Sequence, residues 1–168
     1  MQHDTNMGLG LKNVWTIECY DSEGKLKWGE TKKNLVTTEG LNHVLSSTLD
    51  GGTQITAWYV GLKGTGSAAA GDTMSSHAGW TEDQNYSQSV RQTLTLGTAS
   101  AGSIDNTASK ATYSINATAT IAGAFITSDN TKGGTSGTLY GVVDFASSRS
   151  VISGDTLEVT VTLTAASA

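Results

Sequence analysis

Asp72, Ser75, Ser76 and His77 lie within six residues of one another, inside the stretch AAAGDTMSSHAGWTE at 68–82. These are the residue types of nucleophilic acyl transfer: a hydroxyl that attacks, an imidazole that takes its proton, and a carboxylate that orients the ring. That chemistry needs the three groups to converge in space beside an oxyanion hole. Neighbouring positions in a loop flanked by glycines rarely supply this, and the chain contains no GxSxG elbow between a strand and a helix. The same residues suit a different task. Gly71-Asp72-Thr73 can form an Asx turn in which the carboxylate accepts from backbone amides ahead of it. His77 can bond a carbonyl, and Trp80 can pin the loop to the body. The expectation is a shaped loop and no enzyme; hydrolysis through Ser75 or Ser76 with His77 is the reading it displaces.

Metal and phosphate chemistry find little support. The histidines stand at 3, 43 and 77 with a single Cys19, and no pair has ligand spacing. Asp129-Asn130 and Asp50-Gly51 each offer one or two oxygens, without the pattern of a calcium loop. Gly61 to Gly66, GLKGTG, lacks the spacing of a phosphate-binding loop and has no helix after it. No catalytic, cofactor-binding or metal-binding residue is therefore assigned. The net charge of −5 speaks against nucleic acid, because Lys25, Lys27, Lys32 and Lys33 share their hairpin with Glu23 and Glu30. No apolar run approaches the ~20 residues of a membrane helix. The polar start, MQHDTNMGLG, has no signal-peptide core, so synthesis in the cytoplasm without export is expected.

The elements that would position these residues are mostly strands. Charged residues make up 15% of the chain, against roughly 25% in ordinary soluble domains. Their place is taken by 26 Thr, 19 Ser and 20 Gly, with no proline at all. Threonine suits a pleated, half-exposed surface, and glycine supplies the turns. NVWTIECY at 13–20, the turn DSEG and KLKWGE at 25–30 read as a hairpin that gathers Trp15, Ile17, Leu26 and Trp28. ITAWYVGL at 55–62 reads as a strand covered on both faces. Residues 110–128 hold one or two strands with a break near Gly123, LYGVVDF at 139–145 is another strand, and SSRSVISGD is a turn. DTLEVTVTLT at 155–164 alternates strictly, with Leu157, Val159, Val161 and Leu163 on one face and threonines and Glu158 on the other. One helix is expected over residues 37–49: Thr37 or Thr38 caps it, Leu41, Val44, Leu45 and Leu49 follow at helical spacing, and Gly51-Gly52 ends it. The sum is a flexible arm at 1–12 and a single domain at 13–168. Its fold class is all-β: an antiparallel sandwich or partly open barrel, jelly-roll or immunoglobulin-like, of seven or eight strands.

All four tryptophans precede residue 81. Trp15 and Trp28 belong to the core on this reading. Trp58, with Tyr59 beside it, and Trp80 divide evenly between core and an exposed partner surface, since Trp and Tyr are favoured interface anchors. Exposed together, these rings would also suit stacking on sugars, as in a carbohydrate-binding module.

NLVTTEGLNHVL at 34–45, ITAWYVGLKG at 55–64, AAAGDTMSSHAGWTE at 68–82 and GDTLEVTVTL at 154–163 together resemble a family of small structural proteins of tailed bacteriophage virions. The resemblance spans most of the chain, and its most specific part is the Gly-Asp-Thr-Met to Trp-Thr-Glu stretch. It implies a capsid decoration, or cement, protein, made in the host cytoplasm and placed on the phage head. The major capsid protein would be its partner, and it would assemble as a dimer or trimer, with no membrane, nucleic acid or cofactor involved. A tail tube, fibre or baseplate component is the alternative within the same particle.

Overall fold

The alternating segment near the C-terminus occupies the middle of a sheet, where its two-faced pattern is put to use. The computed structural model describes residues 9–167. Its strands are β1 (Leu9–Tyr20), β2 (Leu26–Lys33), β3 (Leu35–Val36), β4 (Tyr59–Gly66), β5 (Trp80–Asp83) and β6 (Gln92–Thr93). They continue with β7 (Ser103–Asp105), β8 (Ala111–Ser114), β9 (Ala119–Thr127), β10 (Leu139–Val151) and β11 (Thr156–Ser167). One helix, α1 (Thr38–Leu49), joins β3 to β4.

Two antiparallel sheets face each other. In the first, the order is β2-β1-β11, with β7 and β8 both pairing along the far edge of β11. The second runs β3-β10-β9-β4-β5, and β6 adds to β4. This is an open β-sandwich with no closed barrel. Trp15, Ile17 and Cys19 of β1, Tyr113 of β8, and Leu157, Val159 and Val161 of β11 point inward from the first sheet and are fully buried. Val60, Leu62, Ala124, Ile126 and Val143 join them from the second. The Tyr113 hydroxyl donates to the Val60 carbonyl at 2.6 Å, linking the layers where a phenol would otherwise lack a partner.

The outer faces differ. The first sheet turns Thr16, Thr31, Thr160 and Thr162 to water, in register across β2, β1 and β11. The second carries another apolar layer on its outer side, where Phe125, Leu139 and Val142 are covered by Met74 and Trp80. Strands buried on both faces read as continuous apolar runs. Val60 to Lys63 and Gly123 to Thr127 are accordingly buried without interruption. Gly61 makes room for this layer, since a methyl there would overlap the Phe125 ring.

Several expectations are corrected. There are eleven strands among the described residues, because short pieces such as β3, β6 and β7 carry too few residues to show a period. The expected arm at 1–12 loses its last four residues, since Leu9 to Lys12 already pair with β11; residues 1–8 lie outside the described chain. The break within 110–128 falls between β8 and β9, while Gly123 sits inside β9, where a side chain would strike the Val143 carbonyl. The SSRSV segment is no turn. β10 bulges between Asp144 and Arg149 and resumes pairing with β9, and Arg149 bonds the buried Glu30 of β2. The tip DSEG is a turn as expected, with Asp21 accepting from the amides of Glu23 and Lys25. Leu26, however, is 51% exposed, whereas Trp28 packs edge-on against Phe145.

The helix forms where its cap predicts. Thr37 Oγ1 accepts from the Gly40 amide at 3.1 Å and donates to the Leu139 carbonyl, and the Glu39 carboxylate accepts from the Leu139 amide at 2.7 Å. Its leucines do not turn inward. Gly40 is the buried residue of α1, Val44 touches the core, and Leu41, Leu45 and Leu49 are 40, 51 and 78% exposed.

Candidate functional site

The 68–82 segment crosses the outer face of the second sheet, and its polar residues hold that crossing in shape. Asp72 Oδ2 accepts from the Ala69 amide at 2.8 Å and from the Trp80 indole N–H at 2.9 Å. The amide it caps therefore lies behind it in the chain, opposite to the expected Asx turn. Thr73 Oγ1 accepts from the Ser76 amide instead, so the hydroxyl turn falls one residue later. His77 Nδ1 stands 3.2 Å from the Trp80 carbonyl, and because a carbonyl only accepts, Nδ1 carries the proton. The imidazole stacks on the Trp80 ring at 4.0 Å, and Phe125 meets the same ring, tilted, at 5.1 Å.

Three members of the supposed relay, Asp72, Ser75 and His77, have partners elsewhere. Asp72 serves an indole and an amide, and the His77 nitrogen next to the backbone serves a carbonyl. Ser75 Oγ pairs with Thr73 Oγ1 at 3.1 Å. A nucleophile needs a base within hydrogen-bond reach, and the base needs an orienting group. Among the described residues neither serine hydroxyl bonds the imidazole, and the carboxylate does not bond it either.

Two buried cations anchor the loop, and neither stood out in the sequence reading. Lys63 is fully buried, with Nζ 3.0 Å from Asp144 Oδ1 and donating to the Gly66 carbonyl. Asp144 Oδ2 then accepts from the Ala68 amide at 3.0 Å, and the Ala70 carbonyl takes the Thr38 amide at 2.8 Å. The loop start is tied by this route to β4, β10 and the first turn of α1. Arg91 is 1% exposed and grips Glu82 with two parallel bonds of 2.9 and 2.7 Å. It also donates to the carbonyls of Asp129 and Gly134 and lies over Phe125. A lone lysine inside an apolar run was the available signal for Lys63: a charge buried on both sides must have a partner.

Among the aromatic candidates, Trp80 is 3% exposed and cannot be a contact surface. Trp58 is half-buried, held edge-on between His43 at 5.5 Å and Tyr140 at 5.6 Å. Tyr59 starts β4 and is half-buried too. A flat exposed stacking platform of Trp58, Tyr59 and Trp80 does not exist. Trp58 instead borders a small hollow of about 170 Å³ beside α1, lined by Val44, Leu94, Leu96 and Tyr140 together with the polar His43, Ser47 and Gln54.

Among the described residues, no group of three or more His, Cys, Asp or Glu stands close enough to hold a metal ion. No helix among them is long and apolar enough to cross a membrane. The fold and site together define an open β-sandwich with a rigid, covered loop. No protein-family model matches the chain, and no curated protein matches it.

Proposed function

We propose that this protein is a structural component of a bacteriophage virion: a capsid decoration protein that binds the outer surface of the head and strengthens contacts between capsomers. The observation that carries this reading is the way the chain uses its polar residues. Those best suited to chemistry, Asp72, Ser75 and His77, are engaged in holding a loop, while apolar side chains on α1 remain exposed. A domain built this way presents shape and apolar area to other proteins. The sequence resemblance to small tailed-phage structural proteins supports the same reading.

The physical effect required is modest per copy. Buried apolar area contributes about 25 cal/mol per Å2, and part of it is offset by the cost of association. Repetition over a symmetric shell makes many such contacts act together. The partner is the major capsid protein, and the unit is a small homo-oligomer made in the host cytoplasm and carried in the virion.

Heads assembled with and without the protein test this. Loss of heat stability and DNA retention in heads lacking it, restored by adding the purified chain, is the expected result. Heads that bind none of it, or that are equally stable without it, remove the decoration role. Labelled particles in electron micrographs distinguish the alternative of a tail component.

A further inference from the structure

The chain changes sheets at a single residue. β2 ends at Lys33 in the first sheet, β3 begins at Leu35 in the second, and Asn34 lies between them. A crossing of this kind leaves both ladders, so its polar groups need partners of another sort. The Asn34 backbone N–H finds one, donating to the Asn13 carbonyl of β1 at 3.1 Å. Asn13 and Asn34 therefore stand opposite each other, one step beyond the Val14–Lys33 pair. Both side chains enter the space between the sheets. Asn13 is 1% exposed and continues the inward alternation of Trp15, Ile17 and Cys19. The Asn34 carboxamide lies against β10 at Gly141, two residues before the inward-facing Val143. A methyl on Gly141 would come within 2.6 Å of Asn34 Nδ2.

None of the four polar atoms of these two side chains has a hydrogen-bond partner among the described residues, and none is open to solvent. Buried carboxamides are almost always bonded, and each brings two donor hydrogens and an accepting oxygen. A third polar group stands beside them. Burial raises the pKa of the Tyr140 hydroxyl and the Asn13 side chain lowers it, so the two are neighbours, yet they form no direct bond. Polar groups held close without bonding each other are the setting of a bridging water.

We infer that this corner binds an internal water molecule, which bridges the Asn13 and Asn34 carboxamides and reaches the Tyr140 hydroxyl. A buried water makes about three hydrogen bonds to groups that would otherwise lack partners, and these three residues supply them. The span fits, because Cβ atoms of directly opposed residues are about 5 Å apart. Gly141 keeps the room, and Leu163, the partner of Asn13 on β11, forms the apolar wall. The water joins the crossing from β2 to β3 onto β10. Just beyond it, Thr37 bonds the Leu139 and Tyr140 carbonyls through its hydroxyl and its amide. The start of α1 is thus seated on a stretch of β10 that the water fixes from the other side. Tyr140 also borders the hollow beside α1, which is the route of exchange with solvent. The site belongs to the fold and does not rest on the role proposed above.

NMR on the full chain tests the site. The side-chain NH2 protons of Asn13 and Asn34 should both show cross-peaks at the water frequency, with NOE and ROE of opposite sign. That sign pattern marks a water that stays longer than the protein takes to tumble. Exchange of the Tyr140 hydroxyl proton could imitate it, so the peaks must persist in Tyr140→Phe, where the two carboxamides still hold the water. Oxygen-17 relaxation dispersion should count one long-lived water fewer in the double variant Asn13→Leu/Asn34→Leu, whose melting curve shows whether it folds. If it does not fold, the wild type and Tyr140→Phe decide the matter alone. Peaks missing from either carboxamide, peaks lost in Tyr140→Phe, an unchanged water count in a folded double variant, or a crystal structure with the two carboxamides bonded directly to each other overturns the inference.

Discussion

The carboxylate at position 72 sits beside two serines and a histidine, yet its geometry assigns it to Trp80. That indole N–H is buried, and Asp72 is its acceptor. Removing an acceptor from a buried donor costs about 1–3 kcal/mol. Asp72→Ala should therefore lower the unfolding free energy by that amount, read as a lower denaturant midpoint at unchanged m, and Asp72→Asn, which keeps an oxygen, by clearly less. Equal stability of all three forms would contradict the assignment. Cys19 makes a second case. It is fully buried with its thiol 3.7 Å from the Asp155 carboxylate, and burial first, then that carboxylate, pushes its pKa up from 9.0 to about 12. Below pH 9 the thiol is protonated in both folded and unfolded chains and has no effect. Between about 9 and 12 the unfolded chain releases a proton that the folded one keeps, so stability falls as pH rises. Tyr86 and Tyr113, raised mainly by burial, add to the same alkaline slope. Denaturant titrations on either side of pH 9 should show the decline, and Cys19→Ser should make it shallower. A thiol reagent should label the wild type only when it unfolds.

Helix α1 is held by its first turn. Gly40 lies directly against β10, and a methyl there would overlap the Tyr140 carbonyl, which is backbone and cannot swing aside. Gly40→Ala should therefore destabilise the protein by about 1–3 kcal/mol, the usual cost of overpacking. Gly29→Ala in β2 is the control, because its nearest neighbours lie 3.9 Å away. If the two variants melt together, the helix is not seated as described. The elements differ in how well their residues announced them. Thr37, Glu39 and the leucine spacing gave the helix within a residue, since capping and period are local signals. β11 was equally plain, because one face meets the core and the other water. β4 and β9 were harder, as strands covered on both sides lose alternation and their ends blur. The leucines of α1 misled for a related reason. Helical spacing reveals that an apolar face exists and is silent about what covers it. The loop was readable in kind, a structural turn anchored by Trp80, but not in detail: which amide Asp72 caps depends on where β4 and β5 bring Ala69 and Trp80 together.

Across the molecule, stability should follow the asymmetry between the sheets. Strand β9 is hydrogen-bonded on both sides, by β10 and β4, and covered on both faces, by the main core and by the Met74–Trp80 layer. Its amides can exchange with solvent only when much of the sandwich opens. Helix α1 has one buried residue, at its first turn, and its last two turns contain only half-buried and exposed residues. Local opening there exposes little apolar surface and needs far less free energy than global unfolding. Edge strand β2 belongs between these limits, since one of its sides has no strand partner and its distal half is tied through Glu30 to Arg149. Native-state hydrogen exchange on dilute protein should rank the amides in that order, with Gly123 to Thr127 slowest and Ser46 to Leu49 among the fastest. Exchange in α1 as slow as in β9 on dilute protein would mean the helix is part of the cooperative core, and the exposure of its leucines would then need another explanation.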